Sequence, residues 1–299
     1  MNKTRLKIGL FGIGAIGSVI GAILRQNELL VITYFNRSPR NSLRVKFGSI
    51  KETIPINTEP SKSEKSNLDW LIIAIKEYHY LEAKQTLKTL ISPQTKVVII
   101  RNGLDLHKSV NGLTTRDKIL ECLIDCPTQK DDEGYYVQIT KGKIIVRDNL
   151  LSKQFAELFT SDDRLEIEQV SDFKTLSWKK LIESSSLGAL LILSGQTCWI
   201  FENEEMIELY EKLVVECIEV AIKDGAKIDL NYKDDLIIKL KNYPPNKGSS
   251  MLTDRLNNRR IELMAKNGII DELAKQYGIE TPLNNLICKL LKCINLKYN

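Results

Sequence analysis

The sequence predicts an α/β chain: a doubly wound sheet with an antiparallel extension in the N-terminal part, then an all-α C-terminal part. Three observations predict it. Short apolar runs at Leu6–Phe11, 29–35, 68–75 and Lys96–Ile100 show little alternation, as strands buried on both faces do. Helical spacing separates them, with Leu81, Ala83, Leu87 and Leu90 recurring within Tyr80–Leu90. Beyond Ser171 the strand pattern stops and helical periodicity takes over.

Element by element, a glycine-rich turn at 12–17 follows the first strand, and a helix runs on to about residue 26. Between 118 and 147 the strands become shorter, at 119–124, 135–140 and 143–147. Asp132-Glu133-Gly134 and Lys141-Gly142 supply their turns, which predicts the antiparallel extension. A helix is expected over 150–159. Glu204–Lys223 is amphipathic, with Ile207, Tyr210, Leu213, Val214, Cys217 and Ala221 on one face and Gly225 placed to end it. Gly278 and Thr281-Pro282 end one helix and begin another. The expected domains are 1–170 and 171–299, joined near Val170 with no low-complexity linker and no internal repeat.

Bulk properties narrow the class. A length of 299 residues suits two domains, each able to bury a core. The net charge of +5 permits an anionic ligand, but the basic residues are dispersed and offset by 38 acidic ones, which argues against nucleic acid. Six cysteines form no CxxC pair and only two histidines accompany them, so no metal site is expected. They read as reduced thiols of a cytoplasmic protein. A strand beginning near Lys7 leaves no room for a signal peptide before it, and no apolar run approaches the ~20 residues of a membrane helix.

Gly12-Ile13-Gly14-Ala15-Ile16-Gly17 fits GxGxxG between a strand and a helix. The first glycine permits the tight turn. The second lets a pyrophosphate approach the backbone, and the third lets helix and strand pack closely. The helix N-terminus offers N–H groups and a positive dipole end to the phosphates. These residues predict a Rossmann-type dinucleotide site. An NAD-preferring site usually carries a carboxylate after the second strand, to bond the ribose 2′-hydroxyl. Here Asn36-Arg37-Ser38 stands there, with Arg40 beyond. A guanidinium suits a 2′-phosphate, so NADPH is expected.

Further polar groups sit beside apolar structure: Lys76 in Ala74-Ile75-Lys76, Asn102 in Ile100-Arg101-Asn102-Gly103, and Lys180 in Trp178-Lys179-Lys180-Leu181. Gly248-Ser249-Ser250-Met251-Leu252 is followed by Glu262. Read singly, each has a plainer role. Lys180 and Glu262 fit exposed helix charges, Ser250 a helix N-cap, and Asn102-Gly103 a turn. Together, in order and spacing, they resemble the ketopantoate reductase (2-dehydropantoate 2-reductase) family over nearly the whole chain. The resemblance implies hydride transfer from NADPH to C2 of ketopantoate, giving pantoate for pantothenate synthesis. Lys180 would then be the general acid and Glu262 would orient its amine. Ser250 and Asn102 would hold the substrate carboxylate, and Lys76 would lie near nicotinamide and substrate.

The pocket departs from the family pattern. Ser184 stands where the first pocket asparagine is expected, Gly188-Ala189 replaces an Asn-Pro pair, and Lys247, beside Asn246, aligns with a further asparagine. Hydride transfer to a small 2-oxo acid is compatible with these changes, whether ketopantoate or another. A non-catalytic NADP(H)-binding sensor is the reading from a different class. The resemblance is compatible with a monomer or a homodimer.

Overall fold

In a computed structural model of the protein, residues 5–59, 67–160 and 162–298 are described. The chain divides into two compact units, Met1–Phe173 and Lys174–Asn299.

The first unit runs β1 (Leu6–Phe11), α1 (Ala15–Leu24), β2 (Leu30–Phe35), β3 (Ser42–Phe47), β4 (Ile50–Pro55), β5 (Thr58–Glu59), β6 (Trp70–Ile73), α2 (Tyr80–Leu90) and β7 (Lys96–Ile100). It continues through β8 (Ile119–Asp125), β9 (Thr128–Lys130), β10 (Tyr136–Gln138), β11 (Gly142–Arg147), α3 (Leu150–Ala156) and β12 (Leu165–Val170). Eight of the described strands form the main sheet, in the order β12-β11-β8-β7-β6-β1-β2-β5. From β8 to β5 every neighbour pair is parallel; β11 runs antiparallel to β8, and β12 parallel to β11.

The two faces of this sheet are apolar for the reason the uninterrupted strand runs suggest. Ile8, Leu10, Ile72 and Val98 share one core with Val19, Ile20 and Ile23 of α1 and Phe155 of α3. Phe11, Leu71, Ile73, Val97 and Ile99 share the other with Leu87 and Leu90 of α2. Helices therefore cover both faces, as a doubly wound sheet requires. The chain moves outward from β1 to β2, then crosses to β6 on the other side. That reversal places the topological switch point between β1 and β6, where such sheets bind ligands at their carboxyl edge. The register keeps this edge level: Phe11 pairs with both Phe35 and Ile73, and Ile73 with Ile99.

One expected strand lies elsewhere. The segment at 135–140 does not extend the main sheet; its β10 pairs parallel with β3 and antiparallel with β9 in a four-stranded sheet, β4-β3-β10-β9. The β3–β4 hairpin, absent from the sequence expectation, supplies the edge β10 needs. The helix expected over 150–159 ends at Ala156.

The second unit begins with α4 (Phe173–Ser194), followed by α5 (Glu204–Lys223), α6 (Tyr232–Lys241), α7 (Ser250–Leu256), α8 (Ile269–Tyr277) and α9 (Pro282–Asn295). Residues 185–192 of α4 are all buried, which makes α4 the core helix of this unit. Asn203 caps α5 by accepting from the N–H groups of Glu205 and Met206, and Gly225 (φ +89°) follows its end. A π-helical turn, Met264–Gly268, precedes α8 and is interrupted at Lys266 (φ −127°, ψ −111°).

No described helix is long and apolar enough to cross a membrane, and no described cluster of three His, Cys, Asp or Glu side chains could hold a metal ion. All six cysteines are free thiols.

Candidate active site

In the first unit the candidate residues follow the carboxyl ends of four neighbouring strands. Asn102 follows β7, Lys76 follows β6, the glycine turn follows β1, and Asn36 and Arg37 follow β2. The turn is anchored on both sides. The Gly12 N–H donates to Phe35 O at 2.8 Å, and the Ala74 N–H to Phe11 O at 2.8 Å. The Asn36 carboxamide oxygen accepts from the Ile13 N–H at 3.2 Å, tying the end of β2 to the turn.

The three glycines differ as dinucleotide binding demands. Gly12 has φ +92°, and a Cβ there would lie 2.4 Å from Ile75 Cγ2 and 2.8 Å from Ala74 O. A Cβ on Gly17 would lie 1.9 Å from Gly12 O, so helix and turn touch backbone to backbone. A Cβ on Gly14 would meet nothing within 4 Å: this face is open, and a side chain would occupy the space a pyrophosphate needs. Helix α1 has no side-chain N-cap and no acidic residue in its first turn, which leaves its N-terminus suited to an anion. These residues fit a dinucleotide. Beside the turn, Ile13 and Ser18 also line a recess of about 220 Å³ with Arg40, Arg44 and Tyr136.

The Arg37 side chain is 75% exposed and lies 3.6 Å from the Glu82 carboxylate, a weak surface pair. His79 lies 3.5 Å from the same carboxylate. Burial, and then the nearby Arg37 and Lys76 charges, hold the His79 imidazole below its usual value against the opposing pull of Glu82. Lys76 is half-buried at the start of the single turn Glu77–His79. Asn102 sits in a loop containing Gly103 (φ +125°) and Asp105 (φ +47°). Its carbonyl accepts from Arg101 Nη1 at 3.1 Å, and its buried Oδ1 has no hydrogen-bond partner among the described residues. Buried carboxamide oxygens are rarely left in that state.

In the second unit, Trp178 is fully buried and its Nε1 donates to Asp224 Oδ2 at 2.8 Å, locking the start of α4 to the end of α5. Asp224 also accepts from the Tyr277 hydroxyl at 2.6 Å and pairs with Lys174 at 3.0 Å. Burial pushes this carboxyl up, but the bonds from Tyr277, Trp178 and Lys174 outweigh it and hold it below its usual value. Lys180 and Ser184, one turn apart on α4, share a face and are both half-buried. Lys179 faces elsewhere, its Nζ 4.7 Å from the centre of the Tyr232 ring. The Ser184 hydroxyl donates back to Leu181 O at 3.3 Å.

Glu183 joins α4 to α6 and to the 243–247 loop, accepting from Lys239 at 2.8 Å and from the Tyr243 hydroxyl. Burial and the Glu183 carboxylate push that phenol well above its usual value. The loop is held by Cys198 N–H to Lys247 O (2.9 Å) and Trp199 N–H to Pro245 O (2.8 Å). Lys247 Nζ lies 3.3 Å from the centre of the Tyr243 ring, a cation–π contact. Ser249, not Ser250, is the N-cap of α7: its hydroxyl accepts from Leu252 N–H at 3.1 Å. Ser250 is thereby exposed in the first turn.

Glu262 is half-buried between two buried neighbours, Ile261 and Leu263. The backbone of the preceding Ile261 is clamped by Asn295, which accepts from the Ile261 N–H at 3.0 Å and donates to Ile261 O at 3.1 Å.

One residue of this group escaped the sequence reading. Lys266 is only 6% exposed, and its Nζ lies 3.4 Å from Ser184 O and 3.5 Å from Ser250 Oγ. Nothing in Met264-Ala265-Lys266-Asn267-Gly268 distinguishes it from a solvated helix lysine; only packing does.

Comparison with known proteins places the chain in a family. The model of the ketopantoate reductase PanE/ApbA family matches residues 8–149, and that of the family's C-terminal part matches 172–295. A 2-dehydropantoate 2-reductase of Caulobacter vibrioides is 30% identical over 291 residues, covering 97% of this chain and 99% of the relative. Among solved structures, a dimeric ketopantoate reductase from Staphylococcus aureus superposes with TM-score 0.86 at 20% identity, covering 98% of this chain and all of that one. The ternary structure of D-mandelate dehydrogenase with NADH and anilino(oxo)acetate reaches TM-score 0.86 at 18% identity, covering 97% and 98%. The chain is therefore an oxidoreductase of the ketopantoate reductase family, a family of nicotinamide-dependent reductases.

Proposed function

We propose that the protein is an NADPH-dependent 2-dehydropantoate 2-reductase, converting ketopantoate to (R)-pantoate for pantothenate, the coenzyme A precursor. The observation that carries the cofactor half is the level row at the carboxyl edge of the first unit: an open Gly14, an uncapped α1, and Arg37 with no carboxylate at the end of β2. Residues 1–170 are assigned to the dinucleotide and 171–299 to the substrate.

The 12–17 turn and α1 bind the pyrophosphate. Asn36 braces the turn, and Arg37 binds the 2′-phosphate through charge-assisted hydrogen bonds. Lys76 and Asn102 lie toward the nicotinamide end. When bound, NADPH supplies the hydride that reduces the 2-oxo carbon. Lys180 donates a proton to the ketone oxygen as negative charge develops there, and Glu262 orients its amine. Asn102, Ser184, Lys247 and Ser250 are the proposed substrate contacts.

A second reading within the class is a reductase of another small 2-oxo acid. It is favoured by Gly188, which offers no side-chain partner, and by Ser184, whose hydroxyl bonds its own helix. The D-mandelate dehydrogenase of the same fold, solved with NADH and anilino(oxo)acetate, is consistent with it. The test is to incubate the purified chain with NADPH and single 2-oxo acids, identifying products by mass spectrometry. Pantoate from ketopantoate supports the first reading. Turnover of a different 2-oxo acid alone supports the second. Intact cofactor binding without turnover on any of them favours a sensor.

We propose a cytoplasmic enzyme, monomeric or homodimeric; the Staphylococcus aureus ketopantoate reductase of the same fold is dimeric.

A further inference from the structure

The loop at 243–247 is built to hold its shape. Pro244, Pro245 and Asn246 are exposed, whereas Tyr243 and Lys247 on either side of them are half-buried. The two prolines fix their own φ angles, and the Lys247 N–H donates to Pro244 O at 2.9 Å, closing a turn. Backbone bonds from Trp199 to Pro245 O and from Cys198 to Lys247 O pin that turn to the residues after α4. A side chain ties it to α4 itself: the Tyr243 hydroxyl donates to the Glu183 carboxylate. Burial and that carboxylate both push the phenol upward, so Tyr243 keeps its proton and remains the donor. The Tyr243 ring in turn carries the Lys247 ammonium, with Nζ 3.3 Å from its centre. A phenol that donates to a carboxylate is polarised toward its oxygen and ring, which strengthens the attraction of the ring face for a cation. Glu183, Tyr243 and Lys247 therefore form a relay from α4 to a residue already assigned to the substrate.

We propose that Glu183 and Tyr243 are positioning residues: the carboxylate holds the phenol, and the phenol's ring holds the Lys247 ammonium where it meets the carboxylate of the 2-oxo acid. This rests on the 2-oxo acid reductase reading, with Lys247 as one of its substrate contacts. A lysine side chain is rich in rotamers, and ordering it before the ligand arrives lowers the entropic cost of binding. A ring face suits that task, because it orients the ammonium without cancelling its charge.

The test titrates oxamate, a carboxylate next to an amide carbonyl, calorimetrically into the full chain saturated with NADPH. Tyr243→Phe keeps the ring and removes the hydroxyl; Glu183→Leu removes its acceptor. Each should weaken oxamate about fivefold or more, and Lys247→Met about tenfold or more. NADPH affinity should be unchanged, and thermal melts identify the folded variants. In the Lys247→Met background, Tyr243→Phe and Glu183→Leu should each change oxamate affinity by less than about twofold, since no ammonium is left to position. Oxamate binding within about twofold of wild type in either folded single variant overturns the proposal. So does a loss of equal size with and without Lys247, the mark of a merely structural bond, and so does wild type that fails to bind oxamate. Oxamate binding that depends on Tyr243 through Lys247, without turnover of any 2-oxo acid, would leave the relay standing and remove the reductase reading. Turnover with oxamate binding independent of Tyr243 would do the reverse.

Discussion

The Trp178 indole donates to the Asp224 carboxylate at 2.8 Å, fixing helix α4 to the end of α5 two residues before Lys180. The catalytic candidate therefore stands on a helix whose rotation is set by a buried hydrogen bond. Asp224→Ala leaves the fully buried indole N–H and the Tyr277 hydroxyl without their acceptor, at a cost of about 1–3 kcal/mol. Urea unfolding at neutral pH measures it. The folded-state value of Asp224 lies below its usual 3.8, so its stabilisation is complete above that value and is lost as pH falls through the lower folded value. Wild type should lose stability more steeply than Asp224→Asn in that acid range.

The glycine turn predicts two opposite outcomes. Gly17→Ala forces a Cβ to 1.9 Å from Gly12 O, and the backbone shift should destabilise the fold by about 1–3 kcal/mol or more. Gly14→Ala meets nothing within 4 Å, so thermal stability should be kept while NADPH affinity falls about tenfold or more. Thermal melts and cofactor titration on both variants check this.

Arg37 is proposed to discriminate between the cofactors. Arg37→Ala should weaken NADPH by about 10- to 100-fold and leave NADH nearly unaffected. Glu82→Gln, which removes the carboxylate 3.6 Å from the guanidinium, should tighten NADPH modestly. Dissociation constants for both cofactors decide it; equal weakening of NADH by Arg37→Ala removes Arg37 from the phosphate site.

Lys180→Ala should lower kcat by about 10²- to 10⁴-fold with NADPH affinity near normal. Lys179→Ala is the matched control, since its Nζ lies over the Tyr232 ring. Steady-state kinetics on the pair test the acid assignment, and survival of activity in Lys180→Ala refutes it.

The inner strands of the main sheet and the glycine turn were legible in the sequence because both rest on local chemistry; the edge strands β5 and β12 were not. Uninterrupted apolar runs report burial on two faces, and GxGxxG reports backbone contacts no other residue permits. The β3–β10 pairing was not legible, since β10 has three residues and finds its partner about 90 positions away. The roles of Ser249 and Ser250 were not separable either, because neighbouring serines serve equally as caps until the helix start is known. Lys266 was invisible for a different reason: its burial depends on Gly188, Met251 and Ser250, which only the tertiary fold brings to it.

The most direct measurement is the initial rate of NADPH oxidation by the purified chain with ketopantoate. The expected result is turnover to pantoate, with kcat/KM higher for NADPH than for NADH. NADPH that binds normally but is oxidised by neither ketopantoate nor any other small 2-oxo acid would contradict a reductase.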